Sequence, residues 1–72
     1  MKVKEFFDMY GMSSNATITV VDLTNEREWR LFHDSIRYHM YFKYDGDRKI
    51  DVGNLMVNTF SVRDNDLIIY AE

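Results

Sequence analysis

The side chains able to do chemistry are few, and most of them crowd one stretch. His33, Asp34, Ser35 and His39 place two imidazoles, a carboxylate and a hydroxyl close together. A metal centre needs three or four converging ligands, and His33 and His39, six positions apart, do not share a helix face. Ser35 and His39 are four apart and would touch on a helix. Nucleophilic catalysis also needs an oxyanion hole in a concave pocket, which a 72-residue domain rarely builds. Ser35 therefore reads better as a helix cap. Asp45, Asp47 and Asp51 begin like a calcium loop, yet the later glycine and the closing bidentate Glu do not follow at EF-hand spacing. Arg48 and Lys49 lie inside that stretch and would repel a cation. A phosphate-binding glycine loop, a paired-histidine zinc helix and a dinucleotide fingerprint are absent from the sequence. The expectation is a non-enzyme with no catalytic residue, no metal and no cofactor.

What the sequence offers instead is a surface. Between Trp29 and Tyr44 lie six of the eleven aromatic residues, threaded with Arg30, Arg37 and Lys43. Exposed Tyr, Phe, Met and Arg are the usual material of protein interfaces. Charge is divided unevenly around this stretch. Residues 27–49 hold six Lys or Arg against four Asp or Glu, and the rest of the chain holds three against eight, for a net charge of −3. An acidic total argues against a nonspecific nucleic-acid binder, which normally carries a basic footprint. Rings alternating with cations would nonetheless suit single-stranded nucleic acid. Some of these rings must also fill the core, because a small domain needs bulky residues inside. Arg30, Arg37, Tyr38, Tyr41 and Lys43 are the expected contact residues. A second candidate surface is acidic: Asp64 and Asp66, with Asp45, Asp47 and Asp51, could imitate a phosphate backbone, although solvated turns explain such residues as well.

Seventy-two residues make a single domain, 1–72, that buries only about 60% of the surface its unfolded chain exposes. Without cysteine there is no disulfide framework, so packing alone must hold the fold, and self-association would bury further apolar area. The opening Met1-Lys2-Val3-Lys4-Glu5 carries charge rather than an apolar signal segment, and the longest apolar run, Leu67–Ala71, is too short to span a bilayer. A cytoplasmic protein is expected. On that expectation the glycosylation pattern Asn15-Ala16-Thr17 has no meaning.

The elements that must position these residues follow from periodicity. Val3, Phe6, Phe7 and Tyr10 fall on one face of a short helix, with Lys4 and Asp8 four apart on the other and Gly11 placed to end it. Ser13-Ser14-Asn15 reads as a loop. Thr17–Val21 and Arg27–Leu31 alternate as two strands joined at Thr24-Asn25-Glu26, with Trp29 and Leu31 opposite Glu28 and Arg30. Residues 34–44 accept two geometries. Strict alternation sets Ile36, Tyr38, Met40, Phe42 and Tyr44 against Arg37, His39, Tyr41 and Lys43. A cap at Asp34 or Ser35 and the need to cover a sheet favour helix instead, and helix is the expectation. Asp45-Gly46-Asp47 is a turn, and the stretch from there to Asn54 reads as loop. Leu55–Val62 and Leu67–Ala71 are strands across the tight turn Arg63-Asp64-Asn65-Asp66, the last of them apolar on both faces and hence central. The sum is an α+β domain in the order α-β-β-α-β-β, built on an antiparallel sheet of about four strands.

The opening Val3-Lys4-Glu5-Phe6-Phe7, the strand Ile18-Thr19-Val20-Val21-Asp22 and the ending Phe60-Ser61-Val62-Arg63-Asp64-Asn65-Asp66-Leu67-Ile68-Ile69-Tyr70 resemble in layout small accessory proteins of phages and mobile elements of Gram-positive bacteria. The resemblance covers both ends, leaves the aromatic middle unmatched and confers no functional residues. It implies an accessory role, and inhibitors of host defence, anti-CRISPR proteins among them, are a class of that kind. The first expectation is a module that binds and inhibits a host protein. The alternatives are a single-stranded nucleic-acid-binding module, or a ligand-binding homo-oligomer with a pocket between subunits near Tyr38 and Tyr41.

Overall fold

The structure, a computed structural model, describes residues 1–10 and 16–72. Helix α1 spans Val3–Met9 and turns Val3 and Phe6 into the core, with Phe7 half-buried beside them. The Glu5 carboxylate accepts the Lys2 N–H at 2.9 Å, which satisfies one of the free donors at the helix start. The expected glycine cap at Gly11 and the loop at Ser13–Asn15 lie outside the described residues.

Strands β1 (Thr17–Asp22), β2 (Arg27–Leu31), β5 (Val57–Arg63) and β6 (Asp66–Ala71) form a four-stranded sheet in the order β2-β1-β6-β5. The α+β class and the central place of the last strand agree with the periodicity. The sheet is mixed, however: β1 and β6 run parallel, from Thr17 opposite Asp66 to Asp22 opposite Ala71, and the outer pairs are antiparallel. One face carries Ile18, Val20, Trp29, Leu31, Leu67, Ile69 and Ala71, all buried. Val3, Phe6, Tyr41, Ile50 and Val52 join them in a single core cluster. Among the described residues, no helix is long and apolar enough to cross a membrane.

Two stretches differ from expectation. Residues 34–44 do not form one helix. Helix α2 covers only His33–Arg37, its N-cap is the backbone of Phe32 rather than the side chain of Asp34 or Ser35, and it stops as His39 turns to φ 56°. Only Ile36 in that short helix is an apolar side chain packed on the core. The alternating residues beyond it then gain more as strand β3, Phe42–Asp45. Nor are residues 48–54 a loop. Strand β4, Arg48–Asp51, pairs antiparallel with β3 across a two-residue turn in which Gly46 holds φ 62°, and a 3₁₀ turn, Val52–Asn54, follows.

That 3₁₀ turn depends on a glycine for space. A Cβ on Gly53 would lie 2.8 Å from both Cβ and Cγ of the Tyr41 ring system. Gly53→Ala is expected to lower unfolding free energy by about 2 kcal/mol in urea titrations, through displacement of Tyr41. His39 holds a left-handed backbone without being glycine, so His39→Gly is expected to stabilise the domain by about 1 kcal/mol in the same titration.

Candidate functional site

The site is built on the β1–β2 turn. Asp22, fully buried at the end of β1, accepts four hydrogen bonds. Oδ1 takes the backbone N–H groups of Thr24 (3.1 Å) and Asn25 (3.0 Å); Oδ2 takes Asn25 Nδ2 (2.6 Å) and Trp29 Nε1 (2.9 Å). Burial pushes the Asp22 pKa up, and the donors from Trp29, Asn25 and Thr24 together overcome it, leaving the carboxyl below its ordinary value. Asn25, held in this way, accepts a hydrogen bond from Arg48 through its Oδ1. Arg27, opposite Asp22 in the ladder, packs over the Trp29 ring at 5.8 Å and pairs with Asp45. Both links reach the β3–β4 hairpin, which is thereby clamped to the turn.

The clamp decides which side of the hairpin faces out. Lys43 and Ile50 are paired on the inner side, and Ile50 is buried. Tyr41 also turns inward; it is 5% exposed, and its ring stacks on Phe7 with centroids 6.2 Å apart. Burial, with the nearby Asp8 carboxylate adding to it, raises the Tyr41 pKa. Phe42 and Tyr44 point outward, 50% and 65% exposed. Lys49, cross-strand from Tyr44, sets its ammonium 4.0 Å from the Phe42 ring centroid. In the approach to the hairpin, Phe32, Tyr38 and Met40 are exposed as well. Lys43 lies over Phe32 at 5.7 Å, and Arg37 over Tyr38 at 5.5 Å. A depression of ≈ 260 Å³ adjoins this face, lined by Lys4, Asp8, His39, Tyr41, Phe42 and Asp51.

The five expected contact residues do not share this surface. Arg37 and Tyr38 lie in the approach to it, and Lys43 reaches it from the inner side. Tyr41 is a core residue and borders the depression only with the small part of it that is not buried. Arg30 alternates with Trp29 and Leu31 and so faces the opposite side of the sheet. Phe42, Tyr44 and Lys49 belong to the surface and are not among the expected contact residues; the alternating row ending in Phe42 and Tyr44 is the signal for the two rings, and Lys49, on a strand expected to be loop, has none.

The other constellations separate. Asp45 and Asp47 sit at the Asp22 end of the sheet; Asp64 and Asp66 sit at the Thr17 end, roughly 17 Å away along β1. Asp45 pairs with Arg27, Asp66 with the Thr17 hydroxyl, and Asp51 accepts Asn54 Nδ2 at 2.5 Å, so no single acidic face results. His33 Nε2 donates to the Ala16 carbonyl at 3.0 Å and ties α2 to the start of β1. His39 lies beyond the end of α2, which breaks the helical spacing from Ser35. Among the described residues, no three His, Asp or Glu side chains converge as metal ligands.

No protein-family model, no curated protein and no solved structure matches this chain.

Because its folded-state pKa is depressed, Asp22 contributes stability that is present above the ordinary aspartate pKa and is lost as pH falls through the lowered value. Asp22→Asn sets an amide donor against Asn25 Nδ2 and Trp29 Nε1. It is expected to cost about 2 kcal/mol at neutral pH and to flatten the loss of stability from about pH 4 downward, as read by thermal melts across pH.

Proposed function

We propose that the chain is a non-enzymatic interaction module that binds a larger protein through the outer face of the β3–β4 hairpin. The observation that carries this reading is the pair Phe42 and Tyr44, exposed on an anchored hairpin with the Lys49 ammonium over the Phe42 ring. Rings held out on a strand lose little side-chain freedom when a partner covers them, and such residues dominate measured binding energies. Arg37, Tyr38 and Lys43 extend the contact toward α2. The cations favour a partner surface with carboxylates around an apolar centre. The layout shared with phage and mobile-element proteins directs the search to a bacterial host protein in the cytoplasm. Inhibition there, of the anti-defence or anti-CRISPR-like kind, would follow from covering a surface the host protein needs.

The test is affinity capture from a bacterial lysate with wild-type bait, followed by titration of the captured protein against Phe42→Ala and Tyr44→Ala. Each substitution is expected to weaken binding roughly 30-fold, about 2 kcal/mol, with the melting curve unchanged. No captured protein with folded bait, or undiminished binding by both variants, contradicts the proposal. Salt-sensitive binding of single-stranded oligonucleotides by the same rings would replace it with the nucleic-acid reading.

A further inference from the structure

The two edges of the sheet differ. The β2 edge, Arg27–Leu31, carries three charges, Arg27, Glu28 and Arg30, and the hairpin meets it at one end through the pair Arg27–Asp45. Among the described residues, the β5 edge is met only at its start, where Lys2 bridges Met56 and the Val57 N–H donates to the Met1 carbonyl at 2.8 Å. From Asn58 to Arg63, no described residue pairs with its outer side. Natural proteins guard such edges with Lys, Pro or inward-pointing charge. Here the six residues Asn58-Thr59-Phe60-Ser61-Val62-Arg63 carry one charge, at the last position. Phe60 and Val62, on the core-bearing face, are 48% and 65% exposed. An open depression lined by Met1, Tyr10 and Asn58 continues the apolar strip between α1 and β5.

We propose that this edge is a homodimer interface, in which β5 pairs antiparallel with β5 of a second copy and joins two sheets into one of eight strands. A second copy fits because the edge complements itself. Opposed residues of an antiparallel ladder share a face, so the two-fold axis must pass through a residue position. An axis at Phe60 would draw the bulge at Asn58 into the new ladder. An axis at Ser61 keeps clear of it and sets Phe60 opposite Val62 of the copy, an apolar pair made twice. The same register sets Arg63 opposite Thr59 of the copy, within reach of the Glu72 carboxylate that Asn58 Nδ2 contacts at 3.2 Å. The lone cation of each edge thus meets the acidic end of the other. The hairpin faces stand at the far β2 edges and stay free, so the dimer would present two contact surfaces to a partner.

Sedimentation velocity up to about 1 mM is expected to move from monomer to dimer, and Val62→Lys to raise the dissociation constant about tenfold with an unchanged melt at low concentration. The chain has no cysteine, so single substitutions test the register directly. Ser61→Cys is expected to form an inter-chain disulfide on mild oxidation, since antiparallel partners bring Cα atoms into disulfide range. Asp47→Cys, on the hairpin turn, should form it far more slowly. A chain that stays monomeric, or a Ser61→Cys variant that cross-links no faster than Asp47→Cys, overturns the proposal.

Discussion

Much of this molecule depends on one buried carboxylate. Asp22 is fully buried, and four donors converge on it from a turn and from the Trp29 indole. Stripped of those donors, a charge in that position would cost several kcal/mol. With them it fixes the conformation of the β1–β2 turn and the position of Trp29 in the core. The fixed turn then offers Asn25 to Arg48 and Arg27 to Asp45, and through those two contacts holds a hairpin that would not be stable alone. Which rings face solvent follows from this anchoring.

The division of labour within the aromatic stretch is the consequence for function. Neighbours in sequence serve opposite ends. Tyr41 stacks on Phe7 inside, and Phe42, one position on, is half-exposed under Lys49. Gly53 exists at its position because the Tyr41 ring occupies the space a side chain would need. Packing and display are thus the two sides of strand β3 and the residue that leads into it, and the period of 2 separates them without any extra element. A domain with few residues to spare gains a contact surface from the same segment that closes its core.

How much of this could be read from the residues alone varies with sequence distance. Thr17–Val21, Arg27–Leu31 and Leu67–Ala71 alternate or run apolar over enough positions to declare strands, and Val3, Phe6 and Phe7 declare a helix face. The parallel pairing of β1 with β6 joins residues 49 apart, and no local pattern carries it. The Asp22–Trp29 bond was equally hidden, because a side-chain contact across a turn leaves no periodicity. Residues 34–44 misled for a different reason: a single helical turn and a strand abut there, and each satisfied part of the pattern. The contact residues inherited that ambiguity. The helix reading left the rings divided between sheet and solvent, whereas strand β3 and the residue before it set Tyr41 and Lys43 inward and Phe42 and Tyr44 at the surface.

The claim that a buried carboxylate aims this hairpin is tested most directly by tyrosine nitration, followed residue by residue by mass spectrometry, in wild type and in Asp22→Asn. The expected wild-type result is rapid modification of Tyr38 and Tyr44 with Tyr41 protected, and loss of that protection when Asp22 is replaced. If Tyr41 reacts in the wild type as fast as Tyr44, or stays fully protected in folded Asp22→Asn, the hairpin is not held in this way.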